Sequence, residues 1–176
     1  MKIKHVFPGA NLFFTETMIA ITVAVFLSGC SDSSSSRSVA TNIEFRPDGV
    51  LEFRRSGGDL VARIVIEIAE SDSSQARGLM DRRSLPEKGG MIFIDQSSSD
   101  QSFWMRNTPL PLDIIFVRSD SVITNIVKRT TPYSDSRIES IGEAQFVVEV
   151  RAGFTDRMNI KAGQRITWRR EVFDKR

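Results

Sequence analysis

The chain has 176 residues, a formal charge of +2, 40% hydrophobic and 26% charged residues, one cysteine and one histidine. That length supports one domain with a sizeable core, and a near-neutral chain without a basic stripe interleaved with aromatics argues against nucleic acid as a partner. A single cysteine excludes an intramolecular disulfide.

The N-terminus reads as an export address. Lys2 and Lys4 precede an apolar run from Met18 to Leu27, about ten residues and too short for a spanning helix of about 20. Leu27-Ser28-Gly29-Cys30 comes next and resembles the bacterial lipobox. The resemblance implies a signal peptide over residues 1–29, cleavage before Cys30 and acylation of its sulfur. Multiple acyl chains anchor stably, each buried methylene contributing about 0.8 kcal/mol. Ser31 stands after the cysteine, and the resemblance slightly favours the outer over the inner membrane. The expected location is a bacterial membrane surface with the domain in the periplasm. Residues 30–41 form a Ser-rich linker without apolar periodicity, which predicts a flexible leash.

The folded part is expected over residues 42–176 as a single domain, with a charge of +1 once Lys2, Lys4 and Glu16 leave with the signal. His5 leaves as well, and Cys30 is committed to lipid. Ser-His-Asp and Cys-His catalysis and His/Cys zinc sites are then excluded, and no metal or cofactor is called for. Acid–base work falls to Asp, Glu, Lys or Tyr133.

Strand signals dominate the folded part. Val50 to Arg54 suggests an edge strand. Leu60 to Ala69 alternates, with Leu60, Ala62, Ile64, Ile66 and Ile68 on one face and Arg63 and Glu67 on the other. Asp72-Ser73-Ser74-Gln75 reads as a capping box opening a short helix that ends near Gly78 to Met80. Further strands are expected at Met91 to Ile94, Ser102 to Met105, Leu112 to Val117, Val122 to Lys128, Phe146 to Val150 and Ile166 to Arg169. Arg118 to Ser121 reads as a hairpin turn, and Thr155 to Asn159 as a second helical turn. Many short strands with frequent turns predict a mainly β, compact sandwich or barrel, largely antiparallel, with one or two short helices.

Two blocks stand out. The first runs Glu67-x-Ala69, Gln75-Ala76-Arg77-Gly78-Leu79-Met80-Asp81-Arg82, Leu85 and Gly90-Met91-Ile92-Phe93. The second runs Phe103-Trp104-Met105-Arg106-Asn107-Thr108 and Pro111-Leu112-Asp113-Ile114-Ile115-Phe116. Together they resemble the DUF192 (UPF0127) family of unknown function, over roughly residues 60–170. The resemblance implies a jelly-roll-like β domain and carries no activity. Gln164 stands where that family often has an Asp after Gly163.

Arg77 and Arg82 flank Gly78-Leu79-Met80. Two guanidiniums there are suited to a carboxylate or phosphate; the alternative is internal pairing with Glu67, Asp81, Asp113 or Glu149. Trp104 alternates with Phe103 and Met105, so it is either a stacking platform or a core residue. Asn107 suits a turn or a ligand contact. Asp113 and Glu149 sit inside apolar strands and must be paired, hydrogen-bonded or proton-shifted. They are the candidate catalytic carboxylates, with pairing to Arg77 and Arg82 as the alternative. Met80, Met91 and Met105 suit Cu(I) chemically, but methionine is more often core filler. Three functional classes remain open: a binding module for a small anionic or saccharide-like ligand or an envelope partner, using Arg77, Arg82, Trp104 and Asn107; a carboxylate-dependent hydrolase or lyase on an envelope saccharide; or an assembly factor. The lack of His and Cys moves weight from enzyme to binding.

Overall fold

The computed structural model describes residues 43–173. The signal segment, Cys30 and the whole linker of residues 30–41 lie outside the described residues. Seven strands form one curled sheet: β1 (Gly49–Arg54), β2 (Leu60–Ala69), β3 (Gly89–Phe103), β4 (Leu112–Val117), β5 (Ile123–Val127), β6 (Ile138–Arg151) and β7 (Arg165–Arg170). Two short helices, α1 (Asp72–Arg77) and α2 (Phe154–Arg157), lie in the β2–β3 and β6–β7 connections. The strand order is β5-β4-β6-β3-β2-β1-β7. Every pairing is antiparallel except β2 with β3, where α1 supplies the crossover that a parallel pair requires.

The sheet edges meet at one end. Val122 bridges Arg165, Ile123 N–H donates to Gln164 O at 2.9 Å, and Ile166 N–H donates to Ser121 O at 3.0 Å. The mainly β expectation is met by a half-barrel in which one long curled sheet covers both sides of its own core.

Both faces of the central strands are buried, which explains why Met91 to Ile94 and Leu112 to Val117 read as continuous apolar runs. One cluster draws on all seven strands, with Leu51, Ile64, Ile92, Ile115, Ile123, Val148 and Ile166 packed with Phe154 and Ile160. This is the inner face of the curl. The second cluster holds Phe93, Phe103, Met105, Leu112, Ile114, Phe116 and Val147, capped by Leu79 and Leu85 from the α1–β3 loop. Phe93 meets Phe103 edge-on at 5.1 Å, and Phe103 meets Phe116 at 6.1 Å, the arrangement the ring quadrupoles favour. Met91 and Met105 lie in this cluster. Gly90 is required by the packing: a Cβ there would sit 2.8 Å from Glu149 O.

Several local expectations shift. β1 is an interior strand, because β7 pairs along its outer side and leaves Leu51 and Phe53 buried. The runs at Met91 and Ser102 belong to one 15-residue strand, whose pairing with β6 is interrupted by bulges between Ile94 and Ser99 and between Asp100 and Ser102. The capping box sits one residue earlier than Asp72: Ser71 is the N-cap, its hydroxyl accepts from Ser74 N–H, and the Ser74 hydroxyl takes the Ser71 N–H. Serine at N3 does here what Glu or Gln usually does, so the sequence signature misplaces the start. Gln164 is a working turn residue: its carbonyl accepts from Lys161 N–H and its amide donates to Asn159 O.

On the outward face of β1 and β2, Glu52 lies between Arg63 and Arg54 and bonds both. The two guanidiniums, Arg63 first, hold its carboxyl below the ordinary range. A carboxyl with a depressed folded-state pKa contributes stability that is present above its unfolded value, about 4.3 for Glu, and lost as pH falls through the folded value. Glu52→Gln is therefore expected to lower the melting temperature at neutral pH and to make its decline below about pH 4.3 shallower. Calorimetry from pH 7 to acid checks this, and parallel curves for the two proteins would refute it.

Candidate functional site

The end of the sheet where β3 finishes and β4 begins is covered by three loops: residues 78–88, 104–111 and 128–137. Each carries a residue in the left-handed region, namely Asp81 (φ 61°), Asn107 (φ 55°) and Tyr133 (φ 59°). For Asn and Asp this backbone is tolerable. For tyrosine it is a strained placement that the surrounding structure must enforce.

The enforcing contacts are backbone hydrogen bonds between the loops. Asp81 N–H donates to Asn107 O at 2.7 Å, Tyr133 N–H to Thr108 O at 3.2 Å, and Met105 N–H to Ser134 O at 2.9 Å. Three loops distant in sequence are thereby joined into one rim, and the packed face beneath them fixes their base.

On the rim, the Arg106 guanidinium lies over the Trp104 ring, 3.8 Å from its centroid, and Arg106 Nε donates to Asp135 Oδ1 at 2.7 Å. Trp104 is half-buried, and its indole Nε1 is buried without a hydrogen-bond partner among the described residues. Tyr133 is 64% exposed. Arg77, in the last turn of α1, is exposed and stands 3.8 Å from Asp81, an ion pair too long for a hydrogen bond.

The structure divides the sequence-predicted residues. Trp104 and Asn107 share one rim loop, and Arg77 is linked to it through Asp81, which it approaches at 3.8 Å and whose N–H donates to Asn107 O. Arg82 does not join them: it is buried, donates to Glu67 Oε2 at 2.6 Å and to Glu44 O at 3.3 Å, and is committed to holding the N-terminal segment. Glu67 also accepts from Arg46 N–H at 2.9 Å. Internal pairing is thus the arrangement found for both arginines, Arg82 with Glu67 and Arg77 loosely with Asp81. The expected pairing of Asp113 with a guanidinium is replaced by backbone donors.

Asp113 is fully buried. Its Oδ1 accepts from Arg129 N–H (2.9 Å) and Gly153 N–H (3.0 Å), and its Oδ2 accepts from Thr155 N–H (3.0 Å) and the Thr155 hydroxyl (2.7 Å). Four donors satisfy the carboxylate and pin the start of α2 to β4. Glu149 is also buried, but it faces the other way. Asp113 is level with Val150 of the inner cluster, whereas Glu149 is level with Met91 and Ile114 of the second. The sheet stands between the two carboxylates, so they share no reacting site. Among the described residues no three His, Cys, Asp or Glu side chains gather at metal-ligand spacing.

Sequence reasoning missed Arg106 and Asp135, and it offered Tyr133 only as a candidate acid or base. Arg106 lies within the Trp104 to Thr108 motif, in the turn that Thr108 N–H closes on Met105 O at 3.0 Å. The placement of Tyr133 and Asp135 at the rim carried no signal, because the loop that brings them comes two strands later.

No curated protein matches the chain. Among solved structures, a protein described as a candidate transcription regulator from Sinorhizobium meliloti 1021 superposes with a TM-score of 0.66 at 28% identity, covering 72% of this chain and 97% of its own. A protein of unknown function from Novosphingobium aromaticivorans DSM 12444 superposes with a TM-score of 0.64 at 34% identity, covering 68% of this chain and 84% of its own. The family model described as "Uncharacterized ACR, COG1430" matches residues 53–168, so the chain belongs to the DUF192 family.

Proposed function

We propose that this protein is a lipid-tethered envelope binding module whose three-loop rim takes a small anionic or saccharide-like ligand. The observation that carries the reading is the cross-bonding of three loops, each bearing a left-handed residue, around an arginine stacked on Trp104. For Tyr133 this backbone costs about 1–3 kcal/mol, and strain of that kind collects at ligand clamps. The core beneath is complete without the exposed groups above it, so folding alone does not call for Arg106 on Trp104 or for an exposed Tyr133. The family supplies no activity, and the regulator description of one structural relative is a statement about that relative alone. The Leu27 to Cys30 motif and the linker of residues 30–41 support export and tethering at the periplasmic face of a membrane, with the outer membrane favoured by Ser31.

The test is recovery of small molecules. Full-length protein purified from its own envelope is expected to carry a compound detectable by mass spectrometry. Trp104→Ala is expected to reduce that recovery at least tenfold while Lys161→Ala, on the α2–β7 turn, does not. Equal recovery by a folded Trp104→Ala protein rejects the rim as the site.

A further inference from the structure

We propose that Arg106 is the specificity element of the rim and takes a single oxyanion, a carboxylate or phosphate carried on a sugar-sized ring; this rests on the binding reading above. An arginine makes a good oxyanion site when its plane is fixed and its terminal N–H groups are free. Both conditions hold here. The plane is fixed from below by the Trp104 ring at 3.8 Å and from one edge by the Nε bond to Asp135 at 2.7 Å. Among the described residues nothing accepts from Nη1 or Nη2, and the side chain is 48% exposed.

Other exposed arginines are not held this way. Arg118 and Arg46 each close on a carboxylate two residues away, and among the described residues Arg106 alone is stacked on an aromatic ring. The buried indole Nε1 beneath it has no hydrogen-bond partner among the described residues. The stack is therefore held by packing against an unsatisfied polar atom, an arrangement that stability by itself disfavours.

The neighbours narrow the ligand. Arg77 is a second exposed cation, 3.8 Å from Asp81 and without a hydrogen-bonded acid among the described residues, and the Asp81 N–H bond to Asn107 O joins its segment to the loop that carries Arg106. Tyr133, 64% exposed on the adjoining loop, supplies an aromatic face for a ring. Asp81 and Asp135, both exposed, stand beside these two cations. They leave room for one compact negative group and repel a polyanion. The chemistry selected is a ring that carries one compact oxyanion, an acidic sugar or a sugar monophosphate.

Titration calorimetry of the detergent-solubilised full-length protein in phosphate-free buffer tests this, with D-glucuronate, glucose 6-phosphate and glucose as probes. Saturable binding of a charged sugar is expected, with none for glucose. Arg106→Lys keeps the charge but loses the planar fork and the stack, and is expected to weaken binding at least tenfold with little change in melting temperature. If that variant proves poorly folded, Asp135→Asn serves instead. It removes the Nε pin and is expected to weaken binding several-fold. No saturable heat with either charged sugar, or equal binding of glucose, overturns the oxyanion assignment. Charged-sugar binding that survives these variants but is lost in Trp104→Ala overturns the role of Arg106 and leaves the rim standing. Binding indifferent to all of them overturns both.

Discussion

Asp113→Ala is expected to destabilise the domain by about 3–5 kcal/mol, from the cost of orphaning buried donors. The carboxylate has no exposed surface and accepts four hydrogen bonds, three from backbone N–H groups of residues 129, 153 and 155 and one from the Thr155 hydroxyl. Removing it leaves those donors without partners. Each buried unsatisfied donor costs about 1–3 kcal/mol. Two of the donors lie on residues with strained or special backbone, Arg129 (φ 51°) and Gly153 (φ 79°), which the carboxylate helps to enforce. Asp113→Asn keeps one acceptor but turns an NH₂ toward donors, so it is expected to cost about 2 kcal/mol on the same basis. Urea unfolding followed by far-ultraviolet dichroism measures both. A loss below about 1 kcal/mol for alanine would show that the network relaxes. The same measurement separates structure from catalysis, because the geometry gives Asp113 no access to a substrate.

Arg82→Ala comes next, with an expected loss of about 3–4 kcal/mol, the cost of leaving a buried charge without its partner. Glu67 would keep only the Arg46 N–H as a donor inside a buried site. The N-terminal segment would also lose the Arg82 bond to Glu44 O. A double change, Arg82→Met with Glu67→Leu, is expected to recover most of the loss, since a buried ion pair is often matched by apolar residues of similar volume. Chemical denaturation of both proteins checks the pair. Failure of the double variant to recover would point to a role for Arg82 beyond its partner. Neither change is expected to alter binding at the rim directly, in contrast to Trp104→Ala and Arg106→Lys.

The fold was legible where one physical signal acted alone. The alternation from Leu60 to Ala69 placed Ala62 to Ile68 correctly on one face, and the Arg118 to Ser121 turn joined β4 to β5 as expected. It was less legible where a distant partner intervened. β1 looked like an edge because nothing within Val50 to Arg54 announces that the last strand of the chain pairs along its outer side. β3 looked like two strands because Ser97 to Ser99 are polar, yet the polar stretch continues as bulged ribbon against β6.

The candidate residues divide for the same reason. From the sequence, Arg77, Arg82, Asp113 and Glu149 were equivalent: charged groups in or near apolar segments that had to find partners. Their pairing depends on which face of a strand each occupies and which loop crosses above it. Register alone decided that Asp113 and Glu149 point to opposite sides of the sheet. By itself the sequence determined that the folded part has no histidine or cysteine to work with, that it is built from short strands, and that Arg77, Trp104 and Asn107 belong to its two distinctive motifs. Only the tertiary structure decided that Arg82 is an internal strut and that Arg106 lies fixed on Trp104, because those outcomes depend on hydrogen bonds between segments 15 to 38 residues apart.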